Sequence, residues 1–205
     1  MITQVNDLEF IRRQLAAHKA QEFPRTPGIR EAAVAVILRR HRARLQILFI
    51  QRAKQEGDPW SGHMAFPGGH RDPLDADLQA AAMRETSEEI GLDLGPAEYF
   101  GALDQQRAMP RGRPLNMLIA PHVFALDGDP AFTMNHEVRD VLWADLESLV
   151  DGSCHDTETM PLQGKPTIFN GYRLAGGHFV WGLTYRMLKG FFSAVDNAWE
   201  APREL

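Results

Sequence analysis

The sequence predicts an α/β domain with helices on both faces of a mixed sheet. Three observations predict it. Hydrophobic residues make up 44% of the 205 positions, enough apolar material for a packed core without disulfides. Short apolar, β-branched runs alternate along the chain with segments of helical spacing. No internal repeat or low-complexity linker interrupts that alternation, so a central domain over residues 31–195 is the simplest division. A lead-in segment with one helix over 1–30 and a tail over 196–205 complete it.

Taken in order, residues 7–19 place Leu8, Ile11, Leu15 and Ala16 at helical spacing, with Asn6 or Asp7 as N-cap. Pro24, Pro27 and Gly28 then break the chain. Ala32–Leu38 and Leu45–Gln51 read as strands, joined by an exposed basic hairpin over Arg39–Arg44. Residues 52–75, rich in Gly, Pro and Asp, read as loop. Asp77–Ile90 reads as a helix of strong helix formers, stopped by Gly91 in the left-handed capping position. Strands are expected near Tyr99–Leu103, Asn116–Ala125 and Val138–Ala144, with a short helix over Asp145–Val150. Residues 151–178 read as loop-rich, with strands at Thr167–Phe169 and Phe179–Val180. A last helix, Gly182–Ala194, turns Leu183, Met187, Leu188 and Phe191 inward.

Composition narrows the function classes. A formal net charge of -5, from 27 acids against 22 bases, gives no general attraction for nucleic acid or an anionic membrane. An anionic ligand then needs local help from metal or a basic pocket. The single cysteine, Cys154, cannot build an internal disulfide framework. No basic segment leads into an apolar run near Met1, and the longest apolar stretch, Ala32–Leu38, is far below the roughly 20 residues of a membrane helix. The expectation is a soluble, cytoplasmic protein whose partner is a small molecule, with a homodimer left open.

The chemistry concentrates in Arg84-Glu85-Thr86-Ser87-Glu88-Glu89-Ile90-Gly91-Leu92. On a helix, Glu85 shares a face with Glu88 and Glu89. Converging carboxylates repel, and a divalent cation reverses that sign by giving their oxygens a shared partner. Arg84 stands four residues before Glu88 and can pair with it, orienting that carboxylate. Alone, a Glu-Glu pair is usually solvated surface. Here Phe66-Pro67-Gly68-Gly69 lies upstream, and Gly68 and Gly69 allow backbone to approach phosphate or metal-bound water closely.

Together these residues resemble the signature of the Nudix family: a glycine, a spaced glutamate, then Arg-Glu, an apolar residue, any residue, Glu-Glu, any residue, Gly and an apolar residue. Thr86 occupies the first apolar place and Leu92 the last. Counting from Gly69, the early acidic place falls on Asp75, which otherwise serves as an N-cap, and Arg84 lies one residue further on than the general pattern. Phe66–Asp75, with Asp72-Pro73-Leu74-Asp75, is similar to the coenzyme A diphosphatase subgroup, as is Trp181-Gly182-Leu183-Thr184. Ile50–Ala53 and Gly62–Phe66 fit the two ends of that subgroup's upstream motif. Between them Gly57–Ser61 replaces a Leu-Arg-x-His stretch with one extra residue.

The resemblance implies a Nudix α/β/α sandwich and a Mg²⁺- or Mn²⁺-dependent diphosphatase. It implies Glu85, Glu88 and Glu89 as the metal site, Glu85 and Glu89 as direct ligands, and the Gly69 carbonyl as a further one. Glu137, in Asn135-His136-Glu137-Val138, would bind metal or take a proton from water; His136 reads as a polar loop residue. Arg52 and Arg71 flank the signature and would meet phosphate by charge and paired hydrogen bonds. Arg107, Arg111 and Arg113 are further candidates on a loop. Trp60 could stack on a base, though Trp60 and Trp181 read equally as packing residues, and Cys154 beside His155 lacks the partners of a nucleophile. The substrate implied is coenzyme A or an acyl derivative, with ADP-ribose or a nucleotide sugar as the enzymatic rival. A non-catalytic nucleotide sensor is the rival of another class.

Overall fold

The computed structural model describes residues 7–57, 60–108 and 115–204. Arg111 and Arg113 lie outside the described residues. The elements are α1 (Leu8–Ala17), β1 (Arg30–His41), β2 (Arg44–Arg52), β3 (Met64–Ala65), β4 (Gly68–His70) and α2 (Leu78–Ile90). After these come β5 (Glu98–Ala102), β6 (Gln106–Arg107), β7 (Met117–Leu126), β8 (Val138–Asp145) and α3 (Leu146–Val150). The chain closes with β9 (His155–Leu162), β10 (Lys165–Arg173), β11 (Phe179–Trp181) and α4 (Gly182–Val195).

Alternation along the strands builds the layers. In β1, Ala32, Val36 and Leu38 face one apolar cluster, while Ala33, Ala35 and Ile37 face another. β2 repeats the pattern, with Leu45, Ile47 and Phe49 against Leu48 and Ile50. The first cluster takes Ile11 and Leu15 of α1 and Leu188, Phe191 and Phe192 of α4. The second takes Ala81, Ala82 and Ile90 of α2. Helices thus cover both faces of a mixed sheet, in which β1 runs parallel to β7 and antiparallel to β2. Each large side chain buried from α4 contributes about 1.5–3 kcal/mol.

One feature of the sheet positions the site. β1 pairs with β2 only over Leu38–His41, and with β4 over Ala32–Val34. β2 pairs with β3 at Ile50 and Gln51. The strands therefore part, and the glycine bend fills the gap, pinned by the Ala35 N–H donating to the Pro67 carbonyl at 2.8 Å. Gly68 adopts φ +147°, and a Cβ there would stand 2.2 Å from the Ala33 carbonyl oxygen. Only glycine fits.

Three expectations are corrected. Residues 151–178 are not mostly loop: β9, β10 and β11 form an antiparallel sheet. Its hairpin turns at Gln163-Gly164, both with positive φ (52° and 79°), the two-residue geometry that suits strand twist. Residues 52–75 hold two short strands, β3 and β4. Arg39 is not a solvated turn residue but is 8% exposed; it donates to Gln46 and Asp129 and lies 4.0 Å over the Trp143 ring. Beyond the last helix, the Trp199 indole N–H donates to the Val150 carbonyl at 2.9 Å, and Glu204 bonds Lys189 and Tyr185, so residues 196–204 lie against α3 and α4. No helix among the described residues is long and apolar enough to cross a membrane.

Candidate active site

Helix α2 starts sharply because the Asp77 side chain accepts the Ala80 N–H at 2.8 Å. It stops sharply because Gly91 takes the left-handed conformation (φ 67°). Asp77, not Asp75, is the N-cap. Thr86, at a place where the family has an apolar side chain, is fully buried and satisfies its hydroxyl on the Ala82 carbonyl at 2.7 Å. The helix is thereby fixed with Glu85 and Glu89 turned toward the glycine bend.

Glu89 is 2% exposed and accepts the Gly68 N–H at 2.9 Å. Burial pushes its carboxyl up to about 7, with repulsion from Glu85 and Glu137 adding to the rise and the Gly68 N–H and Arg52 charge opposing it. Glu85 lies on Gly69: a Cβ at that glycine would stand 2.6 Å from the carboxylate. Burial raises the Glu85 pKa too, against the pull of Arg84. Glu88 is the outer member, with its side chain 56% exposed and 3.1 Å from Arg84.

Arg84 organises the rest. Its guanidinium meets both oxygens of Asp75 at 3.0 and 2.9 Å, Glu85 at 3.0 Å, and the His70 carbonyl at 2.9 Å. Asp75, almost fully covered, is held below the usual carboxylate range by the Arg84 hydrogen bonds. It therefore braces Arg84 against the bend and does not start the helix. Sequence reading missed this pair because a separation of nine positions, spanning the helix start, matches no helical or strand spacing. The acidic place counted from Gly69 was the only signal.

The remaining candidates divide. Glu137 sits on a loop latched to α2, since the Asn135 N–H donates to the Glu89 carbonyl at 2.9 Å. Its own carbonyl accepts the Ala53 N–H at 2.7 Å. Its negative charge acts on Glu85 and Glu89, and Arg52 supplies the positive charge nearest in effect to Glu89. The structure so gathers Glu85, Glu89, Gly68, Gly69, Arg52 and Glu137 around one bend, with Arg84 and Glu88 at its rim. Arg71 turns away, to Glu31 at 3.3 Å and to the carbonyls of Asp75 and Ala76. Arg107 stacks over Phe23, 4.6 Å from the ring centroid. His136 is largely exposed. Trp60 packs partly buried against the core. Cys154 bonds the Ser148 carbonyl, and burial pushes its thiol up to about 11, which keeps it an inert thiol.

The donor set suits a hard divalent cation. Two desolvated carboxylates meet a glycine whose missing side chain leaves room for one of them, and oxygen donors of this kind favour Mg²⁺ or Mn²⁺. Among the described residues no three acidic, histidine or cysteine side chains already converge into a metal cage. Glu85 and Glu89 are instead held by Arg84 and the Gly68 N–H.

An α/β/α sandwich with a glycine bend feeding a Glu-rich helix defines a class, and the comparisons agree. The NUDIX domain model matches residues 29–163. The chain belongs to the Nudix family, and by kinship stands among the Nudix pyrophosphohydrolases. It is 30% identical over 176 residues to the mitochondrial coenzyme A diphosphatase NUDT8 of Mus musculus, covering 84% of this chain and 80% of that one. The peroxisomal coenzyme A diphosphatase NUDT7 of Mus musculus is 29% identical, over 67% of this chain and 56% of that one. An uncharacterized protein of Schizosaccharomyces pombe is 38% identical over 53% of this chain, and the match spans only 34% of that longer relative. Among solved structures, a MutT/nudix family protein from Enterococcus faecalis superposes with a TM-score of 0.57 at 18% identity, over 95% of this chain and 72% of that one. This last likeness concerns the fold alone.

Proposed function

We propose that the chain hydrolyses the diphosphate linkage of coenzyme A or an acyl derivative, giving phosphopantetheine or its acyl form and adenosine 3′,5′-bisphosphate. The observation that carries the chemistry is the buried Glu89 beside Gly68 with Glu85 on Gly69. Support for the substrate comes from the relatives named coenzyme A diphosphatases and from Phe66–Asp75 and Trp181–Thr184.

On this reading Glu85 and Glu89, with the Gly69 carbonyl, hold Mg²⁺ or Mn²⁺, and Glu88 completes the set from the rim. The cation supplies charge neutralisation for the diphosphate oxygens and lowers the barrier to attack by water. Arg84 holds Glu85 in place through its bonds to Asp75 and the bend. Glu137, exposed and near enough for its charge to act on both carboxylates, takes the proton from the attacking water or serves as a further cation ligand. Arg52 offsets negative charge at the reacting diphosphate. Water adds to one phosphorus, the bridging P–O bond breaks, and two phosphomonoesters leave. The partner is a small molecule, not nucleic acid or membrane, a reading the net charge of -5 supports, and the setting is cytoplasmic, with which a single cysteine accords.

The test is a panel of coenzyme A, ADP-ribose, NADH and nucleotide sugars with Mg²⁺ or Mn²⁺, read by product analysis. Turnover of coenzyme A with release of adenosine 3′,5′-bisphosphate is expected. Preferred turnover of ADP-ribose or a nucleotide sugar would reassign the substrate. Tight binding of one member with no turnover of any would favour a sensor.

A further inference from the structure

A hollow of about 290 Å³ lies where β3 meets the small sheet, lined on one side by Gly62, His63 and Met64 and on the other by Met160, Phe179 and Trp181. Its position is set by backbone. The Arg52 N–H donates to the His63 carbonyl at 3.0 Å, and the Thr184 hydroxyl at the head of α4 donates to the Met64 carbonyl at 3.1 Å. Arg52 is the residue whose charge acts on Glu89. Met64 and Gly68 are four positions apart, so the hollow lies at most about 14 Å from the bend along the chain. That is the scale of a nucleoside 5′-diphosphate.

The walls are flat and aromatic. Trp181 packs at a tilt against His63, at 4.7 Å between ring centroids, and against Phe169, at 4.8 Å, which fixes its orientation while leaving it partly exposed. The rim is polar, and the arginine that lines it is committed. Arg173 is ion-paired to Asp156 at 2.9 Å and Glu158 at 2.8 Å, and its guanidinium lies over the Phe179 ring. A phosphate in the hollow would meet the Glu158 carboxylate and an arginine already neutralised by Asp156 and Glu158. A neutral, planar group with N–H donors meets instead a ring face, the Gln51 amide and the Glu158 carboxylate. Stacking on an aromatic side chain with amide or carboxylate at the edge is how proteins commonly hold a purine.

We propose that this hollow seats the nucleobase of the substrate, with Trp181 as the stacking platform and Gln51 and Glu158 at the base edge. The inference rests on the hydrolase reading above and deepens it: the small sheet, not the helix of carboxylates, selects for a nucleotide. The other arm of the diphosphate then extends away from β9–β11.

The experiment compares the wild-type protein with Trp181→Ala and the conservative Trp181→Phe, using coenzyme A as substrate and two product fragments, AMP and phosphopantetheine, as inhibitors. Trp181→Ala should raise KM about 10- to 100-fold, the range expected for one lost stacking contact, with kcat little altered. AMP inhibition should weaken in parallel, phosphopantetheine inhibition should not, and Trp181→Phe should restore most of the loss. An unchanged KM in Trp181→Ala, or a loss confined to phosphopantetheine inhibition, overturns the assignment. If Trp181→Ala fails to fold, Trp181→Leu, which keeps apolar bulk without an aromatic face, and Gln51→Ala carry the same readouts. If the wild type cleaves no diphosphate, the hydrolase reading fails on its own. AMP quenching of tryptophan fluorescence, present in wild type and absent in Trp181→Phe, then still decides for the base subsite, and no quenching decides against it.

Discussion

Two arginine-centred carboxylate clusters, one on α2 and one on the small sheet, behave differently. Arg84 gathers Asp75, Glu85 and Glu88 beside the glycine bend. Arg173 gathers Asp156 and Glu158 on the small sheet. In the second, the arginine holds Asp156 below the usual range and the charges are satisfied as drawn. In the first, Asp75 is likewise lowered, yet burial raises Glu85 and pushes Glu89 to about 7. Counting acids does not separate the two. What separates them is desolvated carboxylate packed on backbone that only glycine can supply, an arrangement that costs stability unless a cation completes it.

The contrast can be broken most forcefully at Glu89. Glu89→Gln should cut metal-dependent turnover by about 10³-fold while a thermal melt shows a folded protein, because the amide keeps the shape and loses the charge. Next comes the bend: Gly69→Ala pushes a methyl into Glu85 and should lower turnover by about 100-fold, read as kcat at saturating Mn²⁺. Arg84→Lys keeps the charge but loses the fork that joins Asp75, Glu85 and the His70 carbonyl; about a tenfold loss of kcat is expected. At the far end, Asp156→Asn on the small sheet should leave kcat unchanged and shift Tm no more than replicate melts scatter.

A pH comparison sharpens the same point. The raised Glu89 pKa means the folded state favours the protonated form. Its stabilising contribution is therefore complete below the ordinary value near 4.5 and is lost as pH rises through about 7. In EDTA, Glu89→Gln should gain stability over wild type between pH 5 and pH 8, by up to about 3 kcal/mol from a shift of two to three pK units. Denaturant melts at the two pH values would show it; an equal difference at both would remove Glu89 as a buried, ionising group.

The fold was legible wherever burial dictated the pattern. β1 and β2 alternate between two apolar clusters, and Asp77 and Gly91 mark the ends of α2 by local chemistry alone. The small sheet was legible only in fragments: the strands read at Thr167–Phe169 and Phe179–Val180 fall in β10 and β11, but β9 and the length of β10 were hidden, because both carry polar and half-exposed residues on both faces and no strand-length apolar run. Its turn, Gln163-Gly164, lacks the usual Asn or Asp before glycine. In the site, Glu85, Glu89 and the glycines were readable from spacing. The brace between Asp75 and Arg84 was not, since it forms only when the bend brings them together. Arg39 shows the same limit: its partner Asp129 lies 90 positions away.

The central claim is that Glu85 and Glu89 hold a divalent cation at the bend, and Mn²⁺ binding to the metal-free protein tests it without reference to any substrate. Titration followed by electron paramagnetic resonance at pH 6 and pH 8 should show about tenfold tighter binding at the higher pH, as cation displaces a proton from Glu89. Glu89→Gln should lose that binding. Affinity that ignores both pH and Glu89→Gln would contradict the account.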